Sequence, residues 1–215
     1  MTPVELVDAA RQRYNAIGDT FYSDAELYRL IYAAHLEFAR ETLCIERVYS
    51  TVSVLGQQEY SMPANTISIK RVTYNGQKLV PITFREDDAL TSLNAATTDT
   101  GLAQYYAVWN ETLYLRPIPG VDGLAIKIFS INEPQVVSTT SVIEIPSMFH
   151  MDTLNYMLSE MYAKDKDFAA SRYYRDIWIL AIQNGKKWIK KSKRGDSFIG
   201  VQDVETLNER VIGNI

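Results

Sequence analysis

Residues 23–54, SDAELYRLIYAAHLEFARETLCIERVYSTVSV, hold two incompatible periodicities, and the point where one gives way to the other sets the fold class. Up to Phe38 the apolar residues recur as Leu27, Leu30, Ile31, Ala34 and Phe38, the spacing of one helix face. Ser23 is placed to cap that helix with Glu26 reaching back, and Tyr22 and Leu27 hold the positions of a hydrophobic staple. After Cys44 the period falls to two: Val48, Ser50, Val52 and Val54 alternate with polar or aromatic residues, as a half-buried strand does. A chain that makes this change once and later reverses it keeps its helices and strands in separate blocks.

Toward the N-terminus, Pro3 suits a first helical position, and Val4, Leu6, Val7 and Ala10 line one face before Gly18 interrupts. Toward the C-terminus, strands continue through a short segment ending at Pro63. Ile67, Ile69, Arg71 and Thr73 then run into Tyr74-Asn75-Gly76, and Asn-Gly is the preferred pair of a type I′ hairpin returning along 78–83. Thr83 and Glu86 form a second capping box, which predicts a short helix to about Leu93 and then a polar loop. Strands resume at 104–109 and 112–116 around Asn110-Glu111, a turn follows at Pro117, Pro119 and Gly120, 124–131 alternates again, and 136–145 is expected to close the β region.

Beyond Ser147 the helical period returns at Leu154, Met157, Leu158 and Met161. A last helix over 167–192 would be about 39 Å long at 1.5 Å per residue. Ala170, Tyr174, Ile177, Ala181 and Trp188 form one stripe on it, with Trp178, Ile182 and Ile189 beside them, and Asn184-Gly185 is a signal that could stop it early. The expected class is α+β. An antiparallel helical bundle built from 1–45 and 147–192 is interrupted by an antiparallel β-sandwich or barrel-like domain of seven to nine strands at 46–146, and an extended tail follows at 193–215.

The composition suits such a chain. Of 215 residues 47% are hydrophobic and 22% charged, which excludes a disordered or collagenous protein. No apolar run reaches the 18 residues of a membrane span, and the opening MTPVELVDAARQR sets acids within a mild apolar pattern, unlike a secretory signal, so no membrane association and a cytosol-like compartment are expected. The single cysteine, Cys44, forbids an internal disulfide and zinc sites of four cysteines or of two cysteines with two histidines. No structural metal and no cofactor are expected.

Catalytic constellations are sparse. His35 lies near Cys44 on local helical sequence, and His150 opens the third helix beside Asp152; packing and first-turn roles account for both. Gly195 and Gly200 have P-loop spacing, but Val201-Gln202 stand where Lys and Ser/Thr would hold phosphate and magnesium. Asp and Glu are common but no pair is singled out by a surrounding motif, so the residues themselves neither show nor exclude acid/base chemistry.

One motif has clear physical content. Lys186, Lys187, Lys190, Lys191, Lys193 and Arg194 follow one another with no acid between, leaving 1–185 at a formal charge of −7 and 195–215 at −3. Such a block can be a solvated helix end suited to the helix dipole, a contact for an acidic partner, or a contact for DNA phosphates. No helix-turn-helix signature accompanies it, and the rest of the chain repels phosphate. Fourteen tyrosines against seven phenylalanines suggest surface that partners cover.

Several stretches resemble the head-to-tail adaptor (connector) proteins of tailed bacteriophages: ARQRYNAIGD at 10–19, YSDAELYRLIYAAHLE at 22–37, GQQEYSMPANTISIKRVTYNGQKL at 56–79, YYAVWNETLYLRPIP at 105–119, IEIPSMFH at 143–150 and MYAKDKDF at 161–168. They fall in the family's order over about 5–175. The resemblance implies a homo-oligomeric ring of twelve copies in the virion, at the head-tail junction and assembled in the host cytoplasm. The ring would dock under the portal protein, receive a tail or nozzle protein and pass DNA through its lumen without enzymatic activity. It also implies a C-terminal extension that reaches the portal. The portal-binding residues expected here are therefore the six cations above together with the tail's apolar residues, Phe198, Ile199, Val201, Val204, Leu207, Val211 and Ile212. The alternative is a nucleic-acid-binding module that uses the basic helix 186–194.

Overall fold

The computed structural model describes residues 1–15, 21–87 and 100–193. The chain divides into two units, Met1–Cys44 with Gln135–Ile215, and Ile45–Pro134. Helices and sheets are thus segregated along the chain, as α+β requires.

Among its described residues the first unit holds four α-helices, α1 (Pro3–Tyr14), α2 (Asp24–Thr42), α3 (Thr153–Lys164) and α4 (Phe168–Lys193), and a 3-10 turn at Ser147–Phe149. Thr2 and Glu5 close a reciprocal capping box on α1, which the sequence reading did not single out. On α2 the box is only half made. Ser23 Oγ accepts from the Glu26 amide at 3.3 Å, but the Glu26 carboxylate takes Lys164 Nζ on α3 at 2.8 Å. The helices share one core that includes Leu6, Leu27, Ile31, Phe38, Met157 and Trp178.

One expectation fails here for packing reasons, and packing also decides a reading that the sequence left open. Residues 136–145 form no strand: Val137, Ile143 and Ile145 are buried in the helical core, and a turn at Ser138–Ser141 replaces sheet pairing. Gly185 does not end α4. A Cβ at that position would lie 2.6 Å from Phe38 Cζ, so the glycine leaves the room in which α4 packs against the Phe38 ring of α2.

Among its described residues the second unit holds ten strands in open sheets. One sheet has the order β1-β10-β3-β4, with β1 (Glu46–Val52), β3 (Thr66–Tyr74), β4 (Gln77–Lys78) and β10 (Ala125–Asn132). The other runs β2-β8-β7-β5, with β2 (Glu59–Ser61), β5 (Val80–Pro81), β7 (Tyr105–Trp109) and β8 (Thr112–Arg116), and β6 (Thr100–Gly101) pairs with β9 (Ile118–Pro119). Neither four-stranded sheet closes on itself. Tyr60, Tyr106, Leu113 and Leu115 from one and Val72, Tyr74, Ile126 and Ile128 from the other enter a single cluster. The β5–β7 and β6–β9 pairs are parallel, so the expected wholly antiparallel domain is corrected at those two places. On β1 the expected half-buried alternation is not seen: Val48, Tyr49 and Val52 are all exposed and no residue of the strand is buried.

The Asn75-Gly76 hairpin forms as expected, both residues at positive φ and Tyr74 facing Gln77. Asn110 and Glu111 make the equivalent turn between β7 and β8, at φ 46° and 58°. Asn tolerates that region, whereas Glu pays roughly 1–2 kcal/mol for it. Glu111→Gly is therefore expected to stabilise the β unit by about 0.5–1 kcal/mol, the relief of strain less the added entropy of the unfolded glycine. A denaturation midpoint at or below that of the parent protein would contradict this.

Candidate interaction surfaces

The basic end of α4 follows from how the helix is buried. Trp178, Ala181, Ile182, Gly185 and Ile189 form its inward seam, so the cations between them are sorted by position. Lys187, Lys190 and Lys191 stand at i, i+3 and i+4, share one exposed row and lie off the seam. Lys186 is drawn aside into an ion pair with Glu41 of α2. Trp188, 41% exposed, keeps an edge-to-face contact with Phe149 at 6.2 Å, while Ile189 is buried, so these neighbours divide between surface and core. The side chain of Lys193, and Arg194, Phe198, Ile199, Val201, Val204, Leu207, Val211 and Ile212, lie outside the described residues. The structure thus brings three of the expected contact residues together and gives a fourth an internal partner.

The histidines sit within the helical unit. His35 is 1% exposed, and its Nε2 lies 3.4 Å from Thr153 Oγ1. Burial, reinforced by nearby His150, pushes its pKa down to about 4. His150 Nε2 donates to the Ile145 carbonyl at 2.8 Å, which leaves Nδ1 as the acceptor facing the Met1 ammonium at 3.4 Å. Burial lowers the His150 pKa, against the opposing effect of the Ile145 carbonyl. Cys44 is half-buried just beyond the left-handed cap at Leu43. Among the described residues no group of three or more His, Cys, Asp or Glu is placed to hold a metal, and no helix is long and apolar enough to cross a membrane.

The β unit also carries uncovered apolar surface. Val48, Val52, Val80 and Trp109 are each more than half exposed. An open cleft of about 660 Å³ is lined by Met62, Ile67, Ile69, Ile82, Phe84 and Tyr106, with Glu111 and Glu133 among its polar residues. Apolar patches of this kind on a folded unit mark contact surfaces. Sequence reasoning missed them, because a solvent-facing valine and a core-facing valine obey the same alternation.

The family model described as SU10 adaptor protein matches residues 1–186, which takes in the β unit and the helices as far as the start of the basic row. No curated protein matches the chain.

Proposed function

We propose, from the premise that the chain belongs to the SU10 adaptor protein family, a family of phage head-to-tail adaptors, that its copies close into a ring joining the portal to the tail. As a member of that family the protein is a virion component. The ring has twelve copies, assembles in the host cytoplasm, receives a tail or nozzle protein on one side and leaves a lumen through which the genome passes. In this reading the helical unit is an antiparallel bundle and the β unit a sandwich. The observation that carries the proposal is the extent of the family match, which spans both units and not one motif.

The exposed row of Lys187, Lys190 and Lys191 supports portal docking over DNA binding on physical grounds. The chain has a formal net charge of −4, so phosphate approaching it meets mostly like charge. A lumen that grips DNA would retard its exit, whereas a docking interface gains association rate from complementary charge. The residues beyond 193 supply apolar groups to the same docking.

Mixing the purified protein with portal is expected to give a stoichiometric ring on one portal face in negative-stain images. Replacing Lys187, Lys190 and Lys191 by Gln is expected to slow association about tenfold at low salt and to flatten its salt dependence, with the subunit still folded. Absence of any association across protein concentrations and salts would sink the adaptor reading. A variant that docks normally but loses DNA affinity would move the nucleic-acid reading ahead.

A further inference from the structure

The β unit presents two outward surfaces of opposite charge. On the β1-β10-β3-β4 sheet, the residues opposite one another across the strands include Val48, Phe129 and Arg71, then Ser50, Lys127, the buried Thr73 and Lys78. β3 bulges at Lys70, because Phe129 faces Arg71 while Ser130 faces Ile69, and the extra residue adds an exposed cation at the same place. Lys70, Arg71, Lys78 and Lys127 thus gather on a face whose strands carry one acid, Glu46. Val48 and Val52 on that face are 55% and 54% exposed. β1 is outermost in its sheet, and its second edge has no strand beside it among the described residues.

The other sheet shows the converse. Glu59, Tyr114 and Trp109 turn outward, Trp109 is 59% exposed and stacks on Phe84, and Glu111 stands at the β7–β8 turn. Arg116 on this side is held by Asp87 at 2.7 Å, and the exposed Arg85 is outnumbered by Glu59, Glu86 and Glu111.

A seven-residue edge strand without proline, flanked by bare valines, invites a second chain. We infer that the basic, valine-bearing face of one copy docks on the acidic, Trp109-bearing face of the next, a head-to-tail contact that repeats around a closed ring. The inference rests on the ring reading above and adds to it which surfaces meet. A concavity of about 360 Å³ lined by Val48, Lys70, Arg71 and Phe129 has Arg47 as a third cation and Glu46 as its one acid, so cations outnumber the acid where a neighbour's carboxylate would sit. Nucleic acid suits the face less well. Arg71 covers one face of the Phe129 ring at 4.0 Å, where a base would otherwise stack, and the valines offer phosphate nothing.

Charge reversal tests the contact in the full chain. Lys70→Glu with Lys127→Glu reverses one face; Glu59→Lys with Glu111→Lys reverses the other. By mass photometry each variant alone is expected to need at least tenfold more protein than the parent to form rings, with unchanged circular dichroism. An equimolar mixture of the two is expected to restore rings, since every junction then joins unlike faces. The milder pair Lys70→Gln and Lys127→Gln is expected to show a smaller loss, which keeps the test intact if a reversal impairs folding. Rings that form normally from either reversed variant, or folded variants whose mixture fails to assemble, would overturn the assignment. So would a basic-face variant that loses DNA affinity and keeps its rings. If the parent chain forms no ring alone or on portal, the adaptor reading itself fails, and that result is visible before any variant is made.

Discussion

Gly185→Ala is expected to destabilise the helical unit by about 1–2 kcal/mol, although alanine is the better helix former by roughly 1 kcal/mol. The added methyl would sit 2.6 Å from Phe38 Cζ, 2.9 Å from Cε2 and 3.2 Å from Thr42 Cγ2. None of these atoms yields readily. Phe38 is fully buried, with its ring centroid 5.0 Å from that of Phe149 and 6.0 Å from that of Trp178. Thr42 is fixed by its hydroxyl, which donates to the Phe38 carbonyl at 2.7 Å. The remaining way to relieve the clash is to move α4 away from α2, and overpacking of this kind costs about 1–3 kcal/mol, more than the propensity gain. Gly185→Val adds a branched side chain at the same point and is expected to cost about 3 kcal/mol or more. Asn184→Ala, one residue away and exposed, isolates the propensity effect and is expected to be neutral or stabilising. Denaturant midpoints that place Gly185→Ala at or above the parent would refute this account. Because Lys187, Lys190 and Lys191 follow on the same helix, a displaced α4 also moves the basic row.

Gly185 illustrates why part of the fold was legible in the sequence and part was not. The stripe of α2 and the Asn75-Gly76 hairpin are local: one needs only apolar spacing, the other only two residues that accept positive φ. A glycine in a helical pattern has two readings, a stop or a close approach, and Phe38, far away in the chain, decides between them. Glu26 has the same ambiguity. Its capping position is local, but Lys164 wins the carboxylate. Residues 136–145 alternate like a strand, yet Val137, Ile143 and Ile145 serve a helical core while Val136 and Val142 stay exposed, a division that the local pattern does not reveal. Among the contact residues, the cations of 186–194 were legible as charge, whereas the Glu41 pairing of Lys186 and the side of β1 that faces outward depend on partners remote in sequence.

The stability of the helical unit is expected to fall by up to about 3 kcal/mol as the pH drops from near 7 to 4, with His35 the main cause. Its pKa is about 4 in the folded unit against an ordinary 6.5, so between those values the unfolded chain binds a proton that the folded chain refuses. Stabilisation from the neutral imidazole is therefore fully present above pH 6.5 and is lost progressively toward pH 4, where a gap of this size amounts to about 3 kcal/mol. His150, also lowered, acts in the same direction. Asp152 opposes it, since burial raises its pKa and its folded form takes up a proton earlier on acidification. Urea titrations at pH 7, 5.5 and 4, followed by tryptophan fluorescence in a Trp109→Phe background, report the helical unit through Trp178 and Trp188. His35→Gln is expected to lower stability at pH 7 and to flatten its dependence on pH. The slope carries the argument, because a residue that merely fills space would lower the whole curve without changing its inclination. A parent curve that stays level from pH 7 to 4, or a His35→Gln curve as steep as the parent's, would remove His35 as the cause.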